Sequence, residues 1–152
     1  MTEALDDLRA LYQETILEHS KRPRNFGKLA GATVKARGYN PLCGDQVTLY
    51  LALDERRHIQ AAGFEGKGCA LCLASASLLT EAVAGKDESE GRALAEGLRR
   101  LCTEQDYRPP AALEPLQALS GARNYPVRVK CATLPWHTLV AALDGKGEAT
   151  TE

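Results

Sequence analysis

Cys43 and Asp45 place a thiol and a carboxylate two residues apart with only Gly44 between them, inside the stretch Tyr39, Asn40, Pro41, Leu42, Cys43, Gly44, Asp45. Thiolate and carboxylate are metal ligands, and a thiolate is also the nucleophile of sulfur chemistry. Two further cysteines fit the same chemistry. Cys69 follows the glycine-rich bend Phe64, Glu65, Gly66, Lys67, Gly68, where an apolar helical run begins. Cys131 lies in the basic stretch Arg128, Val129, Lys130, Cys131, Ala132, Thr133. The expectation is one metal site made by Cys43, Asp45, Cys69 and Cys131.

Zinc is bound by thiolate, imidazole and carboxylate in tetrahedral groups of four, and Cys43 with Asp45 makes one closely spaced ligand pair. Residues i and i+2 of an extended loop do not converge by default, so the backbone freedom of Gly44 is needed to turn both groups inward. Cys69 at a helix N-terminus gains from the partial positive charge there, which favours thiolate over thiol. Three thiolates and a carboxylate outweigh the charge of zinc, so Lys67, Arg128 and Lys130 are the cations expected close by. The remaining cysteines are set aside. Cys72 falls on one stripe with Ala76, Leu79 and Val83 and reads as a core cysteine, while Cys102 has no evident companion. His19, His58 and His137 are spread apart and read as surface or helix-end groups rather than ligands.

The elements that must position these residues follow from periodicity. Leu5, Leu8, Tyr12 and Ile16 recur at helical spacing, and Pro23 stops that helix. Short alternation from Thr33 to Arg37, clean alternation from Gln46 to Leu53 and a return from His58 to Phe64 predict three strands, the last two forming an antiparallel hairpin. Helices are predicted over Ala70 to Ala84, with Gly85 as the stop, and over Glu88 to Leu101, where Gly91 and Gly97 weaken the pattern. Leu113, Leu116 and Leu119 give a short helical face before Gly121. The last element spans Val127 to Leu143, and Pro135 must either kink it or begin a second segment. The expected fold is α+β, a small three-stranded antiparallel sheet packed against several helices. Residues 1–144 read as a single domain and residues 145–152 as a polar C-terminal tail.

Composition limits what such a domain does. The chain has 152 residues, five cysteines and a formal net charge of −1. Near-neutral charge removes the electrostatic case for nucleic acid. The most apolar run, Cys69 to Ala84, is too short to span a bilayer, and the acidic start of the chain has no signal-peptide pattern, so a cytoplasmic protein away from membranes is expected. Cysteines in that reducing compartment are free, metal-bound or catalytic rather than disulfide-bonded. A rival reading takes Cys69 and Cys72 as the CxxC pair of a thiol-disulfide oxidoreductase. The hairpin before it argues against the βαβ unit that usually accompanies such a pair.

Asn40 to Asp45, then Gly66, Lys67, Gly68, Cys69, then Ala74 to Ser77, and finally Cys131 resemble the signature of the U-type iron-sulfur assembly proteins. Pro23 to Gly27 is similar to their early loop. The resemblance implies the α+β fold and a metal site at Cys43, Asp45, Cys69 and Cys131. Scaffold members of the family carry His before the last cysteine and a Leu-Pro-Pro-Val-Lys segment upstream, where this chain has Lys130 and the run Asn124 to Arg128. That departure, extra residues after Gly85, and the run Cys131 to His137 resemble the SufU-type branch. Membership there implies zinc, and sulfur received from a pyridoxal-phosphate cysteine desulfurase of the SufS type. Cys43 would be the catalytic acceptor, a partner histidine would take its place on zinc, and a downstream iron-sulfur scaffold complex would receive the sulfur. The alternative within the family is a scaffold that builds and transfers a transient [2Fe-2S] cluster.

Overall fold

The computed structural model describes residues 13–151. A helix covers residues 13–21 (α1). Three strands follow, Val34–Asn40 (β1), Asp45–Leu53 (β2) and Ile59–Lys67 (β3), then helices Ala70–Val83 (α2) and Glu88–Thr103 (α3). A 3₁₀ segment, Ala111–Asn124, leads into helix Pro126–Leu143 (α4), and strand Glu148–Thr150 (β4) comes last. Leu5, Leu8 and Tyr12, on which the first helix expectation leaned, lie outside the described residues.

Sheet order is β3-β2-β1-β4, with β1, β2 and β3 antiparallel and β4 parallel to β1. The sheet therefore has four strands rather than three. Glu148–Thr150 is polar enough to read as tail, but its backbone hydrogen bonds to the exposed edge of β1 need no apolar side chains. Strands β1 and β3 each run three residues beyond their predicted ends, to Asn40 and Lys67. In β1 the inward positions are Ala36, Gly38 and Asn40, so a polar residue finishes the buried face.

The helices cover one face of the sheet and close the core on it. Leu49, Leu51, Ile59 and Phe64 from the sheet, Leu79 from α2, Leu98 from α3 and Leu134 and Trp136 from α4 are buried in one cluster. Each such side chain contributes roughly 1.5–3 kcal/mol of transfer free energy. α3 starts with a capping box between Asp87 and Glu90, which explains its firm beginning. Gly97 is a contact glycine: a Cβ there would come within 2.5 Å of Leu113 Cδ1, so the 3₁₀ segment packs where a side chain would stand.

Pro135 neither divides α4 nor ends it. Proline lacks the N–H that would bond the Cys131 carbonyl. A bridge to α2 lies at this turn: Trp136 Nε1 donates to Ser75 Oγ at 3.1 Å, and Ser75 Oγ donates to the Ala132 carbonyl at 2.5 Å. Ser77 performs the matching task for α1, accepting from the Arg24 backbone N–H at 2.8 Å and pairing with His19 Nδ1 at 2.7 Å. His19 is thus a buried group at the end of α1, not a surface one, and burial with nearby Arg24 lowers its pKa.

Candidate metal centre

Pro41 to Gly44 form the turn between β1 and β2, and Gly44 adopts φ +73°, a left-handed conformation in which a side chain would be strained. Its N–H bonds the Asn40 carbonyl at 2.9 Å, which closes the turn and brings Cys43 back over the start of β2. Asp45, the first residue of β2, is fully buried.

Its carboxylate is held from two sides. Oδ1 accepts from the Cys69 backbone N–H at 2.9 Å, and Oδ2 accepts from Asn40 Nδ2 at 3.0 Å. The first bond satisfies one of the free donors at the start of α2, where Cys69, the N-cap residue, makes no side-chain cap of its own. Gly68 permits this approach, because a Cβ there would overlap Asp45 Oδ1.

Cys131 arrives from the first turns of α4 and is buried. Cys43, Asp45 and Cys131 each offer a ligand atom within 4.8 Å of the others. The sulfur of Cys69 is not part of that mutual grouping, yet it is near enough to help raise the Cys131 thiol's pKa. Of the four residues expected from the sequence, the structure draws three into one knot and sets the fourth at its rim.

Electrostatics follow from this crowding. Burial, reinforced by the nearby Asp45, Cys69 and Cys43 side chains, pushes the Cys131 thiol far above its ordinary range. A dication would reverse that tendency, since a coordinating thiol is deprotonated outright. The donor set of sulfur and carboxylate suits zinc and also iron-sulfur clusters. Exposed Arg128 lies close enough to the Cys131 and Cys69 thiols for them to raise its own pKa. Cys72 is fully buried in the core, and desolvation, with the nearby Asp45, Cys69 and Cys43, drives its thiol upward, which makes it a poor nucleophile for a redox pair with Cys69.

Asn40 was not singled out by spacing, though it shapes the centre. Continuing the β1 alternation beyond Arg37 would have placed Asn40 on the buried face beside Asp45.

Strand order, covering helices and a thiol–carboxylate knot at one sheet end define an α+β domain organised around a candidate metal centre. A family model described as the NifU-like N-terminal domain matches residues 11–132, and the chain belongs to that family. It is 36% identical over 146 residues to the iron-sulfur cluster assembly scaffold protein IscU of Streptococcus pyogenes, covering 96% of this chain and 91% of the relative. It is 37% identical over 133 residues to the zinc-dependent sulfurtransferase SufU of Bacillus subtilis, covering 88% and 89%. A crystal structure described as a SUF-system assembly scaffold protein (FiSufU) from Fervidobacterium islandicum superposes with a TM-score of 0.79 at 35% identity, over 86% of this chain and 94% of that one.

Proposed function

We propose that the chain serves iron-sulfur cluster assembly as a zinc-dependent sulfur acceptor, taking sulfur from the persulfide of a cysteine desulfurase onto Cys43. The observation that carries this reading is the convergence of Cys43, Asp45 and Cys131 within 4.8 Å at one end of the sheet. Cys43, Asp45, Cys69 and Cys131 would hold zinc, which when bound keeps thiols deprotonated and subdues them until a partner docks.

Cys43 is the acceptor best placed among the three. It is partly exposed on the turn before β2, whereas Cys131 is buried in α4 and Cys69 is fixed through its backbone N–H to Asp45. Its thiolate attacks the outer sulfur of the partner's cysteine persulfide. The new S–S bond forms on Cys43 as the old one breaks, and the partner's cysteine leaves as a thiolate. Arg128, beside the sulfurs, offsets negative charge while two thiolates are close together. Asp45 fixes the start of α2 and the Cys43 turn relative to each other throughout.

A protein donor suits the surroundings. Leu42 on the Cys43 turn is 59% exposed, and Tyr125 and Val127 at the start of α4 are 65% and 51% exposed. Large apolar side chains left in solvent near a reactive group mark a contact surface. A groove of about 890 Å³ between α1, the 3₁₀ segment and α4, with Ile16, Leu17, Leu71, Tyr125 and Arg128 on its walls, adjoins them. No helix among the described residues is long and apolar enough to cross a membrane.

The test is sulfide release from cysteine by a SufS-type desulfurase, with reductant, with and without the zinc-loaded chain. Large acceleration that Cys43→Ala abolishes supports the relay. Absence of acceleration, with iron and acid-labile sulfide in anaerobically purified protein, would replace it by the scaffold reading, which the scaffold descriptions of several relatives favour.

A further inference from the structure

Asn40 is fully buried at the end of β1 and faces Asp45 across the β1–β2 ladder. Its amide offers two N–H donors and one carbonyl acceptor. Nδ2 is 3.0 Å from Asp45 Oδ2 and 3.7 Å from Cys131 Sγ, while Oδ1 is 3.0 Å from Thr151 Oγ1. A carboxylate only accepts, so the NH₂ group must be the one turned to Asp45. The Thr151 hydroxyl then donates to Oδ1, and that bond fixes which way the amide points.

We propose, resting on the metal-site reading above, that Asn40 is a positioning residue for the metal centre and that Thr151 holds it in its working orientation. Asn40 reaches no metal itself. It sends one N–H to the carboxylate and the other to a sulfur, so a single planar group sets the angle of Asp45 and draws electron density from Cys131. With Cys69 N–H on Oδ1 and Asn40 on Oδ2, the carboxylate has no freedom to rotate. Thr151 is seated by its own N–H on the Tyr39 carbonyl at 3.3 Å, one step past the β4–β1 pairing. The far end of the chain thereby reaches the ligands through one side chain. Groups that orient ligands in this way typically change metal affinity by roughly 10–100-fold when removed.

The experiment uses the full chain loaded with cobalt(II), whose thiolate charge-transfer band reports on the sulfur donors, and chelator competition with zinc for affinity. Asn40→Ala should weaken zinc binding by about tenfold or more and move the charge-transfer band. Thr151→Val should act in the same direction by a few-fold, Thr151→Ser should restore the wild-type values, and Thr151→Val should add nothing in the Asn40→Ala background. Thermal melts of the metal-free proteins check folding; if Asn40→Ala does not fold, the Thr151 pair decides. Wild-type affinity and band in Asn40→Ala or in Thr151→Val would overturn the proposal while leaving the metal site standing. Additive effects of the two substitutions would overturn the link between them. Wild-type protein that takes up no cobalt or zinc would sink the metal-site reading and this inference with it.

Discussion

Where β2 runs out, charge is matched within the chain; where β2 begins, sulfur and carboxylate are gathered. At the first end Arg57 grips Glu88 through two nitrogens at 3.1 Å each, and Arg92 spans Glu88 at 2.9 Å and Asp144 at 2.6 Å. Arg57 also donates to the Leu143 carbonyl at 2.6 Å, tying the turn after β2 to the end of α4. At the second end Asp45 and Cys131 are buried with Cys43 and Cys69 near them, and Arg128 lies beside the sulfurs on the surface. A self-balanced cluster holds elements together. The thiol and carboxylate cluster at the other end is the one proposed to hold a metal and meet a partner.

The largest effect that would sharpen this contrast is expected from Cys43→Ala, which should abolish sulfur acceptance while circular dichroism stays near wild type. A fully active variant would place the acceptor elsewhere. Gly68→Ala comes next: its Cβ would push Asp45 Oδ1 off the Cys69 N–H. Zinc affinity should fall by about tenfold in chelator competition, and loss of the cap should cost about 1 kcal/mol in denaturant melts. Unchanged affinity would mean that the carboxylate's seat does not matter to the metal.

Cys72→Ala should leave zinc binding as it is and lower stability by about 1 kcal/mol, the cost of a small core cavity. Loss of zinc there would mean that the wrong cysteine of the CxxC pair has been taken as ligand. The smallest effect is expected at the balanced end. Arg57 first and Arg92 second hold Glu88 down to about 2, against an ordinary 4.5. Because the folded value is the lower one, the stabilisation is complete above about pH 4.5 and is lost as pH falls toward 2. Glu88→Gln should flatten that acid limb in pH-dependent melts, by at most about 1 kcal/mol because solvent screens such pairs. Metal affinity should not move, and a change in it would erase the distinction between the two ends.

Much of the centre was legible in the sequence because cysteine and glycine are few in kind and strong in meaning. Cys43 beside Gly44 and Asp45, and Cys69 after Gly68, carry their geometry in local spacing, and Cys131 carries its basic setting. What was hidden depends on contacts between distant stretches. Asn40 reads as a loop residue until β1 is seen to continue through it, and β4 has no apolar pattern because it contributes backbone alone. His19 read as a surface or helix-end group, yet it is buried against Ser77, 58 residues on. Ser75 and Ser77 entered as part of a family signature, and only packing shows that they fasten α4 and α1 to α2. The single helix through Pro135 could not be told from two, since that hinges on which groups lie beside the missing hydrogen bond.

The Asn40 bonds to Cys131 and Thr151 span 91 and 111 residues of sequence. A ribosome delivers such partners in order, so Cys43 and Cys69 are exposed to the cell well before the thiol and hydroxyl that complete their surroundings have been made. A nascent chain stopped before α4 would carry Cys43, Asp45 and Cys69 without Cys131. If the centre binds metal as proposed, full loading would have to wait until both α4 and Thr151 have been made.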